Sequence, residues 1–244
     1  VQLRSLKLPA FIEHWPALAQ KAEQEGWTYG TFLAELAERE AEGRRLRRMA
    51  RLQKASKLPE TKTLDALEPD KLPSKVRRML PTLCTGEFVD RGDNLLVFGL
   101  PGRGKTHLVC AIGHELVRRD YRVLFTATGF LVHRLLAAKR DLALERALKS
   151  LDRFDALILD DLGYVQQDRA EMEVLFTLLS ERYERKTVVI TSNLVFSQWD
   201  QIFKDPMTTA AAIDRVVHHS IILEMTGRSV RSTQAKERQQ AGVP

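Results

Sequence analysis

Eight residues, Gly99-Leu100-Pro101-Gly102-Arg103-Gly104-Lys105-Thr106, set the architecture of this chain. They have the spacing G-x-x-x-x-G-K-T and lie between an apolar run and a segment of helical period. Glycine permits backbone conformations closed to other residues, so successive N–H groups can converge on phosphate oxygens at the N-terminus of the next helix. The residues predict a triphosphate-binding loop, with Lys105 on the β- and γ-phosphates and the Thr106 hydroxyl on Mg²⁺. The alternative is a glycine-rich turn that happens to precede a helix.

Five short apolar runs alternate with segments of helical length, and the phosphate loop follows the first run. Alternation of this kind is typical of βαβ units, which build a parallel sheet. Runs such as 157–159 and 188–190 are apolar at every position, which favours strands covered by helices on both faces. We therefore expect an α/β fold with a five-stranded parallel sheet. The expected strands are Leu95–Phe98, Arg122–Thr126, Ala156–Leu159, Thr187–Thr191 and Ile221–Met225.

The part of the chain before the sheet has a different pattern. Apolar residues between Trp27 and Ala37 recur at helical spacing, which predicts an amphipathic helix in a small α-helical domain over residues 1–57. Prolines then become frequent, and because proline removes a backbone donor and fixes φ, we expect a linker over residues 58–75. The α/β domain is expected to span residues 76–244.

Two carboxylates follow the third apolar run, in Asp155-Ala156-Leu157-Ile158-Leu159-Asp160-Asp161. Parallel α/β folds bind ligands at the carboxyl ends of their strands, so the pair is expected beside the phosphate loop. We expect Asp160 to hold Mg²⁺ through water and Asp161 to orient or deprotonate an attacking water. Without the loop, two aspartates after a strand would more often cap the next helix.

Two further residues are candidates for the same reaction. Asn193 follows the fourth run, where its amide could bond the attacking water or the γ-phosphate. The alternative for Asn193 is a turn residue, because asparagine readily ends strands. Arg215 lies near the end of a helix predicted to begin at Asp205-Pro206. It is either an arginine finger, a cation that enters the nucleotide site of a neighbouring subunit, or a complement to the dipole of its own helix.

A basic segment without acidic residues lies in the N-terminal region. Its helical spacing places several cations on one face, where they could follow a phosphate backbone and bind DNA without reading bases. The alternative is a solvated helix face, since acidic residues precede the segment. The sequence has no zinc finger or other base-reading signature, so we expect little sequence preference. The candidates are Arg44, Arg45, Arg47, Arg48, Arg51, Lys54 and Lys57.

The composition of the 244 residues is that of a globular protein, with 44% apolar and 29% charged side chains. No apolar run is long enough for a membrane span and the first residues lack the apolar core of a secretory signal, so we expect a cytoplasmic protein. Cys84 and Cys110 cannot build a disulfide framework and are expected to be buried. His218 and His219 are adjacent, so on a strand they would point to opposite faces and could not share a metal ion.

Several motifs together resemble the IstB-type AAA+ ATPases, and the resemblance covers nearly the whole chain. It is closer than the resemblance to the DnaC-type helicase loaders. The motifs are the loop at 99–106, Leu159–Gly163, Arg182–Arg185, Ile190–Leu194 and Asp214–His219.

This resemblance implies a P-loop NTPase fold of the AAA+ and ASCE class, and it gives each motif a role. Asp160 and Asp161 become the Walker B pair, Asn193 becomes sensor 1 and Arg215 the candidate trans arginine. The nucleotide-binding loop with its flanking residue comprises Gly99, Pro101, Gly102, Arg103, Gly104, Lys105, Thr106 and His107.

Family membership of this kind implies a bacterial, DNA-associated helper of insertion-sequence transposition that hydrolyses ATP with Mg²⁺. Such proteins are expected to form ATP-dependent homo-oligomeric rings or filaments on double-stranded DNA, to remodel it, and to stimulate a cognate IstA-type transposase. A DnaC-like replicative helicase loader is the alternative function. A small-molecule kinase is a third, since P-loops also serve phosphoryl transfer to metabolites.

The chain departs from the AAA+ pattern at two places. Most AAA+ proteins have glutamate at the position of Asp161, and aspartate reaches one methylene less far, so we expect slow hydrolysis. Most also carry a C-terminal helical lid with a sensor arginine, whereas only residues 226–244 follow the last expected strand. We therefore expect no full lid, with Arg228 and Arg231 either replacing the sensor cation or lying in a solvated tail.

Overall fold

The computed structural model describes residues 2–163, 169–194, 198–199 and 206–226, without the side chains of residues 169, 206–209, 211 and 212. The chain divides into two compact units, Val1–Arg51 and Leu52–Pro244. Within the described residues, no helix combines the length and the apolar character that crossing a membrane requires.

The first unit is helical, as predicted. It contains α1 (Gln2–Ser5), α2 (Pro9–Glu25) and most of α3 (Tyr29–Ser56). Helix α2 begins with proline, whose fixed φ suits the first helical position, and ends at Gly26 in the left-handed conformation. Ala10, Leu18 and Leu36 form the buried apolar part of this unit.

The division of the chain differs from the predicted domain boundaries at 57 and 75. The first unit ends at Arg51, and the segment expected to be a linker packs into the core of the second unit. Leu58, Leu67 and Leu72 are buried there. The prolines restrict regular structure in this segment, which contains one 3₁₀ turn at Pro69–Lys71. Burial of its leucines nevertheless stabilises the folded chain, because apolar side chains are removed from water.

The second unit is built on a parallel five-stranded sheet in the order β2-β3-β4-β1-β5, which confirms the predicted fold class. Each observed strand overlaps the apolar run that predicted it. The strands are β1 (Asn94–Phe98), β2 (Val123–Ala127), β3 (Ala156–Leu162), β4 (Thr187–Ser192) and β5 (Ser220–Glu224).

Helices cover both faces of this sheet and bury two apolar clusters. Along β1, Leu95 and Val97 lie in one cluster, which includes residues of the helices at 74–85 and 105–118. Leu96 and Phe98 lie in the other cluster, which includes residues of the helices at 128–140 and 169–182. This two-sided burial explains why the strands are apolar at every position. The helices are α4 (Ser74–Thr85), α5 (Glu87–Asp90), α6 (Lys105–Arg118), α7 (Thr128–Arg140), α8 (Leu144–Asp152), α9 (Arg169–Arg182) and α10 (Pro206–Val217).

Arg182 and Asp155 stabilise the amino-terminal edge of the sheet through hydrogen bonds and ion pairs. The buried Arg182 guanidinium donates to the carbonyl oxygens of Leu151, Phe154 and Thr187 at 3.2, 3.0 and 3.0 Å. Burial lowers its pKa to about 10, so it stays charged at neutral pH. Asp155 precedes β3; burial alone would raise its pKa, but hydrogen bonds from Arg122 and Lys186 lower it to about 2.

Both cysteines are buried, as expected. Burial raises the pKa of the Cys84 thiol to about 11 and that of the Cys110 thiol to about 12, so neither is a reactive thiolate at neutral pH. Residues 227–244 lie outside the described part of the chain, and with them Arg228 and Arg231. The expectation of a missing lid therefore stays a prediction.

Candidate functional site

The glycine-rich loop joins the end of β1 to the start of α6. Gly99 has φ +151°, and a Cβ there would lie 2.6 Å from the carbonyl oxygen of Met225, so only glycine fits. Gly104 takes φ 81° and caps α6 without any side-chain hydrogen bond. The first backbone N–H groups of α6 are therefore not used by a capping side chain, and together with the helix dipole they favour an anion.

Lys105 lies against the loop that it follows. Its buried side chain donates from Nζ to the carbonyl oxygens of Gly99 at 2.6 Å and Leu100 at 3.2 Å. The loop thereby holds the ammonium beside the N–H groups that open α6, where both could contact the same phosphate chain. Of the other predicted loop residues, Pro101 is exposed and Arg103 is partly exposed.

Thr106 and Asp160 join the loop to the acid pair. The Thr106 hydroxyl lies 3.0 and 3.1 Å from the two carboxylate oxygens of Asp160. Asp160 is only 8% exposed, and burial and the neighbouring Asp161 charge raise its pKa, while hydrogen bonds from Thr191 and Thr106 oppose the shift. The topology thus brings together two motifs that are far apart in the sequence, as the strand-edge argument predicts.

The donors at this point fit a magnesium ion. A threonine hydroxyl and a carboxylate are hard oxygen ligands, and adjacent ligands of an octahedral Mg²⁺ at about 2.1 Å are separated by about 3.0 Å. The separation of the Thr106 and Asp160 oxygens is 3.0 Å. Moreover, burial raises the pKa of Asp160 in spite of the opposing charge of Lys62, and a cation bound at this point would stabilise the ionised carboxylate.

A β-bulge positions the two aspartates, and Thr191 on the neighbouring strand stabilises it. Leu159 pairs with Ile190 and Leu162 with Ser192, so two aspartates face the single residue Thr191. The fully buried Thr191 hydroxyl donates to Asp160 Oδ1 at 2.6 Å and accepts the Asp161 N–H at 2.9 Å.

The bulge changes the direction of one aspartate relative to the other. Asp161 takes a left-handed backbone, with φ 58°, and its side chain is exposed while that of Asp160 is buried. Bulges are common beside active sites because the extra residue redirects a side chain. Thr191 contacts both aspartates, yet the sequence gives no sign of this, since threonine is an ordinary strand residue.

Asn193 lies one residue beyond β4, the strand between β3 and β1. This order places it between the acid pair and the phosphate loop at the same edge of the sheet. Its Oδ1 is buried and has no hydrogen-bond partner within the described part of the chain. Buried polar atoms are nearly always satisfied, so this carbonyl fits a site that receives a further polar group.

Two predicted site residues have partners elsewhere. The His107 ring lies 3.0 Å, through Nε2, from the carbonyl oxygen of Thr63, so it is directed toward the segment 58–75. The Arg215 guanidinium lies over the ring of Phe176 on α9, 4.9 Å from its centroid. This contact is within the chain, and the role of Arg215 toward a second subunit stays a prediction.

The seven predicted DNA-binding cations are all exposed, but three of them pair with acids of α3. Arg45 binds Glu42, while Arg44 and Arg47 bind Glu40 at 2.9 and 3.3 Å. Glu40 in turn accepts the Ala10 N–H at 2.8 Å and so caps α2. Burial alone would raise the pKa of Glu40, but the hydrogen bonds from Arg44 and Ala10 lower it. Part of the basic segment therefore stabilises the first unit.

The histidine pair does not lie on a strand, so the expectation of opposite faces is wrong. His218 and His219 occupy the turn between α10 and β5, both are exposed, and their ring centroids are 4.2 Å apart. A turn does not alternate its side chains, and the period of two applies only after β5 begins at Ser220.

The fold and this site define a P-loop protein built on a parallel five-stranded sheet. The sequence profile of one family, described as IstB-like ATP binding protein, matches residues 1–240. The chain belongs to this family.

Its sequence relatives come from bacterial insertion sequences. An insertion-sequence ATP-binding protein of Sinorhizobium fredii is 44% identical over 238 residues, which cover 97% of this chain and 80% of the relative. The ATP-binding protein of insertion sequence IS21 from Pseudomonas aeruginosa is 36% identical over 243 residues, 100% of this chain and 91% of the relative.

Solved structures share the fold at lower identity. The DnaC helicase loader superposes with a TM-score of 0.59 at 19% identity and covers 68% of this chain and 98% of its own. DnaA from Aquifex aeolicus, solved with AMPPCP, superposes with a TM-score of 0.57 at 20% identity over 76% of this chain and 56% of its own. These likenesses support the fold.

Proposed function

We propose that the chain is a Mg²⁺-dependent ATPase. The observation that supports this most directly is the hydrogen bond between Thr106 and Asp160, which places the phosphate loop and the acid pair at one site. The family name and the relatives, all described as ATP-binding, agree with adenosine triphosphate as the substrate.

Each residue of the site has a task in this proposal. Lys105 and the N–H groups that open α6 bind and orient the phosphate chain. Thr106 and Asp160 hold Mg²⁺, which supplies positive charge where charge develops on the phosphates. The exposed Asp161 accepts a hydrogen bond from the attacking water, and Asn193 contacts that water or the terminal phosphate.

The test of the ATPase compares Lys105→Ala with Lys149→Ala, whose ammonium is exposed and pairs with Glu145 on α8. We expect Lys105→Ala to abolish both hydrolysis and nucleotide-dependent assembly, and Lys149→Ala to retain both. Phosphate release and analytical ultracentrifugation measure the two properties. Hydrolysis at the wild-type rate in Lys105→Ala would contradict the proposed site, and assembly that persists in it would separate oligomerisation from the phosphate loop.

We further propose that the chain serves insertion-sequence transposition in the bacterial cytoplasm. In this proposal it forms an ATP-dependent oligomer on double-stranded DNA, with Arg215 entering the site of a neighbouring subunit, and it stimulates a cognate IstA-type transposase. The support is the origin of its relatives in insertion sequences. Pull-down with ATP tests this: retention of transposase or bare duplex is expected, whereas retention of a replicative helicase would favour a DnaC-like loader.

The DNA contact is assigned to Arg48 and Arg51, which are exposed on α3 and lie three residues apart, on the same side of the helix. We expect a double variant, Arg48→Gln with Arg51→Gln, to reduce the slope of log affinity against log salt by about 2, roughly one unit for each phosphate that is no longer neutralised. The charge-matched control is Arg118→Gln with Lys149→Gln, two exposed cations of the second unit. An equal slope in both variants would place the DNA contact elsewhere.

A further inference from the structure

Three metal-ligating side chains meet on the surface of the second unit, away from the residues of the phosphate site. His218 Nδ1 and His219 Nε2 lie 3.7 and 3.4 Å from the same oxygen of Glu184, Oε1. Within the described residues, this is the one group of three or more such side chains whose ligand atoms lie within 4.8 Å of one another. All three side chains are about half exposed, so an ion from solvent can reach them.

The local backbone brings these side chains together. Glu184 lies in the turn between α9 and β4 and takes a left-handed conformation, with φ 54°. His218 and His219 lie in the turn between α10 and β5, and their rings meet edge to face at 4.2 Å. The donors therefore come from two turns that are distant in sequence and contiguous in space.

The distances fit a tetrahedral metal ion. Zinc binds imidazole nitrogen and carboxylate oxygen at about 2.0–2.1 Å, and two ligands of a tetrahedron of that size are separated by about 3.4 Å. The two nitrogen–oxygen distances, 3.7 and 3.4 Å, are close to this value. A pair of imidazoles with one carboxylate is also a donor set that zinc uses in proteins with one position left for solvent.

We propose that Glu184, His218 and His219 form a binding site for a divalent transition-metal ion, for which Zn²⁺ is the probe. The Tyr183 hydroxyl lies 2.9 Å from His218 Nδ1. Metal binding at this nitrogen replaces that hydrogen bond, and the phenol or a water is then the nearest group for the fourth position. Neutral imidazole is the ligand form, so the site binds metal only where both histidines are unprotonated.

A bound ion would connect two helices of the ATPase fold. Glu184 follows α9, while His218 directly follows α10, the helix that carries Arg215. The ion would therefore fix the end of α10 against the end of α9, two helices that already contact each other through Arg215 and Phe176. Metal binding itself does not depend on the proposed ATPase activity.

The experiment measures Zn²⁺ binding to the full chain, prepared without a histidine tag and stripped with a chelator. Isothermal titration in excess Mg²⁺, which occupies oxygen-donor sites, is expected to give one Zn²⁺ per chain. Glu184→Gln and His219→Gln each remove one ligand and are expected to weaken binding by about tenfold or more. Circular dichroism checks that both variants fold.

The matched control is His133→Gln. His133 Nδ1 lies 3.6 Å from a Glu171 oxygen, a similar histidine and carboxylate contact outside the proposed metal site. The control is expected to bind Zn²⁺ like the wild type, and Zn²⁺ is expected to raise the melting temperature of both. Co²⁺ should give the visible absorption bands of a tetrahedral site in the same two proteins. Absence of Zn²⁺ binding in the wild type, or unchanged binding in Glu184→Gln and His219→Gln, overturns the proposal.

Discussion

The two ends of β3 carry aspartates in opposite electrostatic situations. At the amino end, Asp155 binds Arg122 and Lys186, each at 3.0 Å, and its pKa falls to about 2. At the carboxyl end, Asp160 accepts hydrogen bonds from the hydroxyls of Thr106 and Thr191, and its pKa is raised. These hydrogen bonds and the charge of Lys62 oppose the rise, but burial and the neighbouring Asp161 outweigh them.

The opposite pKa shifts distinguish a carboxylate that stabilises the fold, Asp155, from one whose charge the fold disfavours, Asp160. Asp155 finds its countercharges within the fold, so its ionised form stabilises the native state. For Asp160, the cost of burial exceeds what Thr191, Thr106 and Lys62 offset, so a bound cation would stabilise its ionised form. The two aspartates can therefore be distinguished by whether the contacts within the fold outweigh the cost of burial.

The largest expected effect comes from Asp160→Asn. Removing this carboxylate should lower ATP hydrolysis by about 100- to 1000-fold, because the site loses the group that we propose to hold the metal ion. Thermal stability should stay equal or rise, since the cost of burying a charged carboxylate is removed. Phosphate release and calorimetry test both halves. The control is Asp155→Asn, the same chemical change at the other end of β3. If Asp155→Asn lost as much hydrolysis as Asp160→Asn, the distinction between the two aspartates would be wrong.

Arg182→Leu should give the largest loss of stability at the amino-terminal edge. It leaves the buried carbonyl oxygens of Leu151, Phe154 and Thr187 without their donor, and we expect a loss of about 3 kcal/mol in the free energy of unfolding. Urea denaturation measures it. The hydrolysis rate per folded molecule should stay close to that of the wild type. Arg185→Leu, which removes an exposed cation of the same motif, should cost less than about 1 kcal/mol.

Asp155→Asn should lower stability by about 1 to 2 kcal/mol at pH 7, after allowance for solvent screening. The pKa of Asp155 falls from 3.8 to about 2 on folding, so its contribution is complete above pH 4 and is lost as the pH falls through 2. The stability difference between wild type and variant should therefore shrink between pH 4 and pH 2. Urea denaturation at pH 7, 4 and 3 follows it, and a difference that grows on acidification would contradict the assignment.

Thr191→Val should have the smallest of these effects. Valine fills the same volume but removes the hydroxyl that binds Asp160 and accepts the Asp161 N–H, so both aspartates lose their positioning contact. We expect about a tenfold loss in kcat with little change in KM for ATP. Thr191→Ser keeps the hydroxyl and should restore most of the rate. If serine and valine reduced kcat equally, the role of Thr191 would be packing.

The sequence predicted the elements whose signal is local. Apolar runs of four or five residues located the five strands, and the rule that ligands bind at the carboxyl ends of parallel strands placed Asp160 beside Thr106. The glycine spacing located the loop because the backbone there adopts conformations and close contacts that only glycine permits, such as the close approach of Gly99 to Met225.

The features that escaped prediction depend on tertiary geometry. Thr191 contacts both aspartates only because a bulge inserts an extra residue into β3. No residue type in this part of the sequence predicts that bulge. The prolines of the segment 58–75 indicate a linker, whereas its buried leucines pack it into the core of the second unit. His218 and His219 lie in a turn, outside both β5 and the strand expected at Ile221–Met225, so the alternation of side chains along a strand does not apply to them.

The left-handed backbone at Asp161 also bears on substitution at this position. Asparagine, aspartate and glycine accept a positive φ far more readily than other residues do, so the bulge favours an aspartate at this point over the glutamate of most AAA+ proteins. Lengthening the acid by one carbon would therefore strain the backbone at this point of β3. The reach of the side chain and the geometry of the backbone are coupled here, so a longer acid would require a matching change in the strand.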